Sequence, residues 1–172
     1  MKIIGIDPGL TATGFGIIEF DNDRYVLINE GVITSRASDS YAKRLQKLFS
    51  SLQSVIEKEK PDQAAIEDMF VSKNANSALR LGHARGVLIL GSVLSNLEVF
   101  EYSPREVKNA ITGYGKADKN QIYEMVKRLL KVNKISSMHS SDALAVAICH
   151  AHTYRFRTKI NERKMYDCVP LR

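Results

Sequence analysis

The sequence predicts one α/β domain in which a mixed, five-stranded sheet is flanked by helices. Three observations lead there. The chain has 172 residues, 44% hydrophobic and 26% charged, enough for one core and too short for two domains of roughly 100–200 residues each. Three β-rich runs joined by short links open the chain, the pattern of an antiparallel meander. After residue 60, strand-like runs alternate with helical periodicity, which makes the sheet mixed.

Residues 2–8 (KIIGIDP) are an apolar run ending at Pro8-Gly9, hence a buried strand closed by a turn. Residues 13–20 and 24–34 continue as strands around the turn-like Asp21-Asn22-Asp23. From Ser38 to Lys60 the apolar positions Tyr41, Leu45, Leu48, Leu52, Val55 and Ile56 recur at three and four, an amphipathic helix that Pro61 stops. Residues 63–69 (QAAIEDM) read as a short buried strand. Residues 74–95 make a long helix capped by Asn74 or Ser77, and 97–102 alternate as a strand. Ser103-Pro104 opens a helix with proline at its first position. The break TGYGKAD precedes a helix near 118–131, and a last helix covers about 139–155. The folded domain is expected over 1–157, with 158–172 as a basic, irregular tail.

Composition excludes several classes. No apolar run approaches the roughly 18–20 residues needed to cross a bilayer, so no membrane partner is expected. The N-terminus carries no cleavable signal pattern, and the expectation is a cytoplasmic protein. Cys149 and Cys168 are too few for a disulfide scaffold or a four-cysteine zinc site. Net charge is +6, unevenly spread. Residues 1–104 carry 11 Lys/Arg against 13 Asp/Glu, residues 105–134 carry 8 against 3, and residues 155–172 carry 6 against 2. A local basic surplus is the footprint of a polyanion partner, although a solvated basic surface has the same composition.

Against that background two acids stand out. Asp7 and Glu67 each interrupt an apolar strand, and a carboxylate there is costly to desolvate unless it is paired or binds a cation. Asp142 opens the helix DALAVAICHA, where capping alone would account for it. His139 lies three residues earlier and shares its face. Three gathered carboxylates repel one another unless a divalent cation compensates. Oxygen-rich sites suit Mg²⁺ or Mn²⁺, and two such ions can drive phosphodiester displacement. With the basic segments, this reads as a metal-dependent nuclease.

At this point the chain resembles the RuvC-type Holliday junction resolvases. The resemblance rests on GIDPGLTATGFGII (5–18), AIEDMFVSKNANSALRLGHARG (65–86), VFEYSPREVKNAITGYGKADKNQ (99–121) and HSSDALAVAICHAH (139–152). It implies a ribonuclease H-like fold, a homodimer, and paired cutting of four-way junction DNA alongside a RuvA/RuvB-type branch-migration complex. It places the acidic site on Asp7, Glu67 and Asp142, with His139 where the family commonly has an aspartate. A neutral imidazole removes one negative charge and supplies a nitrogen that Mn²⁺ accepts more readily than Mg²⁺ does. Two Mg²⁺ ions per site are therefore expected, with Mn²⁺ substituting or preferred. The resemblance also implies DNA contacts by Phe70, Lys108 and Lys119. Lys116, Arg80 and Arg85 are further candidates, each also readable as a plain solvated charge.

Two rival functions remain at this stage. GIDPGLTATG also resembles the first phosphate loop of the actin and Hsp70 group, but an ATP site there needs a second related domain. A junction-binding protein without catalysis would require a decayed acidic site, and three carboxylates are intact. The run CHAH at 149–152 offers too few ligands for structural zinc.

Overall fold

The computed structural model describes residues 1–21, 24–68 and 74–167. Strands β1 (Lys2–Asp7), β2 (Ala12–Asp21) and β3 (Arg24–Thr34) form the expected meander. Strand β4 (Gln63–Glu67) then pairs in parallel with β1, and β5 (Glu98–Tyr102) in parallel with β4. The sheet order is β3-β2-β1-β4-β5, so the meander and the parallel strands meet at β1. The chain ends its antiparallel part where the crossover helices begin, as strands in alternation with helices require.

Helix ends follow local chemistry. Ser40 caps α1 (Tyr41–Glu59), which closes at Lys60 in the left-handed region just before Pro61. Asn74, rather than Ser77, caps α2 (Ala75–Leu94) through its side-chain oxygen. Reciprocal side-chain and backbone bonds open both α3 (Pro104–Thr112), from Ser103 and Glu106, and α4 (Lys119–Leu130), from Asp118 and Gln121. Helix α5 (Met138–Asp167) departs from expectation: it passes residue 155 and runs through most of the segment read as an irregular tail. No Gly or Pro lies between Ala151 and Asp167 to stop it, and charge alone does not break a helix. The turn proposed at Asn22-Asp23 lies outside the described residues.

Two cores cover the two faces of the sheet. Ile4, Ile6 and Ile17 pack with Leu48 and Leu52 of α1 and Leu88 of α2. Ile3, Ile18 and Ala65 pack with Leu144 and Ile148 of α5, backed by Val107 and Val126. Each Leu or Ile buried this way contributes about 1.5–3 kcal/mol.

Helix α5 sits unusually close to the sheet because three strand positions have no side chain. A Cβ on Gly5 would overlap the Ala143 carbonyl and lie 2.7 Å from the Ala147 nitrogen. One on Gly14 would overlap the His139 carbonyl, and one on Gly16 would lie 2.5 Å from Leu144 Cγ. Gly14→Ala should therefore push the start of α5 outward. The expected cost is about 1–3 kcal/mol, read as a lowered midpoint in urea unfolding. Among the described residues no helix is long and apolar enough to cross a membrane.

Candidate active site

Alternate residues of a strand share a face. Ile3 and Gly5 face α5, so Asp7 does as well; Ala65 lies in the same core, so Glu67 follows it. Ile6 stands opposite Ile66 in the parallel pairing, which sets Asp7 and Glu67 side by side at the carboxyl ends of neighbouring strands. Ligand sites of open α/β sheets form at such edges.

The start of α5 supplies the remaining groups. The Ser137 hydroxyl accepts the Ser140 amide at 3.0 Å and caps the helix. The Ser136 amide donates to the Glu30 carboxylate at 2.7 Å, fastening that turn to β3. The Ser136 hydroxyl binds the same carboxylate, and against the raising effect of burial the hydrogen bonds of Ser136 and Ser140 hold Glu30 below the usual range. Seated in this way, His139 Nδ1 lies 2.9 Å from Asp7 Oδ2. With Asp7 ionised, Nδ1–H donates and Nε2 keeps its lone pair. The Asp142 carboxylate meets Lys119 Nζ at 3.3 Å.

Electrostatics tie these groups into one site. Burial raises the Asp7 carboxyl, against the lowering effect of its bond to His139, and Asp142 raises it further. Glu67 is pushed up to about 7, by burial first and then by repulsion from Asp7 and Asp142, while Lys119 and Lys108 pull it down. Asp142 in turn raises the Lys119 ammonium. Two half-buried carboxylates are held above their ordinary range, by desolvation first and by mutual repulsion second.

A divalent cation fits this donor set. The oxygens are hard ligands, the imidazole tolerates Mn²⁺ as well as Mg²⁺, and the raised carboxyls mark where positive charge is lacking. Among the described residues no three His, Cys, Asp or Glu side chains are drawn into a finished cage. His139 and Lys119 instead occupy Asp7 and Asp142.

The other candidates fall in different places. Lys108 and Lys119 both act on the Glu67 charge and so border the acids. Lys116 lines a groove beside Lys108. Arg80 lies over the Tyr41 ring, 5.9 Å from its centroid, and nothing brings it to the acids. The Arg85 guanidinium is taken up internally: it donates to the Glu67 carbonyl at 3.3 Å and pairs with Asp68 and Glu101, fixing the end of β4. Phe70 lies outside the described residues. His150 is buried between Tyr102 and Gln63, at 2.7 and 2.8 Å, while His152 stands edge-on to Tyr25. The CHAH run thus serves packing.

A family model described as "Crossover junction endodeoxyribonuclease RuvC" matches residues 3–150. The chain belongs to the RuvC family. A RuvC from Alkaliphilus oremlandii is 45% identical over 91% of this chain and 96% of its own length. One from Syntrophotalea carbinolica is 47% identical over 90% and 96%. The RuvC of Thermus thermophilus, solved in complex with a Holliday junction substrate, superposes with a TM-score of 0.87 at 28% identity, covering 92% of this chain and 97% of that one. The ribonuclease H-like expectation is thereby met by a RuvC fold. Sequence reasoning did not find the parts that aim this RuvC site: Gly5, Gly14 and Gly16 beneath α5, the Glu30–Ser136 tie, and Arg85 behind Glu67. The only signal for the glycines was their presence inside strands, where a side chain is otherwise favoured.

Proposed function

We propose that this RuvC-family chain resolves four-way DNA junctions by hydrolysing one phosphodiester in each of two opposed strands, with Asp7, Glu67, Asp142 and His139 holding the divalent cations. The observation that supports the reading is that Asp7 and Asp142 lie near enough to Glu67 to repel its charge, beside Lys119 and Lys108, in a chain of this family. When bound, two Mg²⁺ ions, for which Mn²⁺ can substitute, supply charge compensation and activate water.

The chain's own groups do the rest. Asp7 and Glu67, fixed by strand ends, present oxygens at adjoining positions. His139 orients the Asp7 carboxylate through Nδ1 and offers Nε2. Lys119 neutralises Asp142 in the structure as it stands, and with Lys108 it supplies cations for the phosphate backbone. Phe70 is assigned to the unstacked centre of the junction, and Lys116 and Arg80 to further phosphates.

Two sites acting together require two chains. Helix α2 carries Leu79, Leu90, Val93 and Leu94 more than half exposed. A Cβ at Gly82 or Gly86 would meet nothing, so these glycines do not serve packing on the sheet. Leu79, Gly82, Gly86, Leu90 and Val93 form one stripe at helical spacing, suited to a second copy in an isologous homodimer. Leu90→Asp should convert dimer to monomer in sedimentation velocity, and paired cuts should become single nicks. A RuvA/RuvB-type branch-migration partner and a cytoplasmic location belong to the same proposal.

The test compares a synthetic four-way junction with linear duplex, in Mg²⁺, Mn²⁺ or EDTA. Junction-selective, metal-dependent cutting is expected; equal cutting of duplex would overturn the reading. A metal-soaked crystal with the His139 imidazole turned away from the ions would remove His139 from the ligand set. The ATP-binding alternative has nothing in its favour, since the described residues form one five-stranded sheet without a second related half.

A further inference from the structure

The segment between α3 and α4 has no role in the acidic centre, yet it is built as a rigid platform. Gly113 ends α3 in the left-handed region at φ 71°, with its amide on the Asn109 carbonyl at 2.8 Å. The Thr112 hydroxyl then accepts the Tyr114 amide at 3.2 Å and lies 3.0 Å from the Tyr114 carbonyl. That carbonyl also accepts the Ala117 amide at 3.2 Å, and Ala117 is buried. Gly115 packs where a Cβ would come within 2.8 Å of Asn109 Oδ1. The backbone of Tyr114 is thus held on both sides while its side chain is 58% exposed.

That ring stands between two cavities, one shared with Gln121, Glu124 and Arg128 and the other a basic groove. Arg105, Lys108, Asn109, Tyr114 and Lys116 line a common groove, and no Asp or Glu lines it. Among the described residues no ion pair engages Arg105, Lys108 or Lys116. Lys108 belongs both to this groove and to the field at Glu67, so the groove opens beside the acids. An exposed aromatic ring on a fixed backbone among unpaired cations is the combination that binds single-stranded nucleic acid: cations take the phosphates and the ring takes a base. Duplex DNA keeps its bases stacked inside, so such a ring finds a partner only where a strand is unpaired. Fixing the backbone that carries the ring removes part of the ordering cost from binding.

We infer that the α3–α4 groove is a binding site for an unpaired nucleotide of the junction strand next to the cut, with Tyr114 stacking on its base and Arg105 and Lys116 on its flanking phosphates. This rests on the junction-cutting function proposed above. It assigns to Tyr114 a positioning role and to Arg105 a phosphate contact.

The test measures binding of a four-way junction and of a duplex of the same arm sequence, in EDTA, by wild type, Tyr114→Ala, Tyr114→Phe and Arg105→Ala. Thermal melts confirm that each variant is folded. Tyr114→Ala should weaken junction binding by about 5- to 100-fold, the size of one base–aromatic stack, and leave duplex binding unchanged. Tyr114→Phe should match wild type. Arg105→Ala should lower the slope of log affinity against log salt by about one, whereas Tyr114→Ala should not alter it. Junction binding by Tyr114→Ala within twofold of wild type overturns the inference, as does an equal loss on duplex or the same loss in Tyr114→Phe. Wild type that fails to cut junctions would sink the proposed function; wild type that cuts them while Tyr114→Ala binds normally sinks the groove alone.

Discussion

Asp7→Asn is expected to lower single-turnover cleavage of a four-way junction by roughly a thousandfold or more while junction binding stays intact. The replacement keeps the volume, and its amide oxygen can still accept from His139 Nδ1, which now stands 2.9 Å from Asp7 Oδ2. What disappears is one negative charge from a site whose other acids, Glu67 and Asp142, both repel it. The metal-free variant should accordingly melt higher than wild type, because Glu67 loses the acid that repels it most. Cleavage retained at a tenth of the wild-type rate would remove Asp7 from the catalytic set. A gain in stability with a loss of rate is the signature of a site strained for function.

Metal-free protein should become less stable as pH rises through neutrality. Glu67 ionises near 7 in the folded chain against 4.5 when unperturbed. Between those values the folded state holds a proton that the unfolded state has released, so stability falls with rising pH across that window. Its contribution is fully present below about 4.5 and lost above about 7. At about 1.4 kcal/mol per unit the total is roughly 3 kcal/mol, several degrees of melting temperature for a chain of this size. Asp7 is shifted the same way. Glu30 and Glu106, held low by serine hydroxyls, oppose it only at more acid pH. Melting in EDTA should thus rise between pH 8 and 5.5, and the rise should shrink in Glu67→Gln. Mg²⁺ should restore stability at pH 8. A melting temperature flat in pH, with EDTA and Mg²⁺ curves coincident, would mean that Glu67 carries no uncompensated charge.

The acids were legible because charge in an apolar strand is expensive: Asp7 after Ile6 and Glu67 after Ile66 stood out before any geometry was known. Helical spacing put His139 and Asp142 on one face, but capping alone would have accounted for Asp142, and only the resemblance to the RuvC type set both in the site. Caps and prolines marked the helices well, as Ser103-Pro104 and Lys60-Pro61 show. The length of α5 was not legible, since a charged segment without Gly or Pro reads equally as tail or as helix. Nor was the support of the site. Ser136 and Glu30 are 106 residues apart, and nothing local to either announces the other. Gly5 and Gly14 are defined by what would collide with them, which only the packed helix reveals.

At Gly5 and Gly14 the backbone of α5 rests directly on strand backbone, with no side chain between them to yield when the start of the helix is loaded. Close-packed interiors pass displacement on rather than absorb it. The first turn of α5 and the strands below it therefore move as a single anvil.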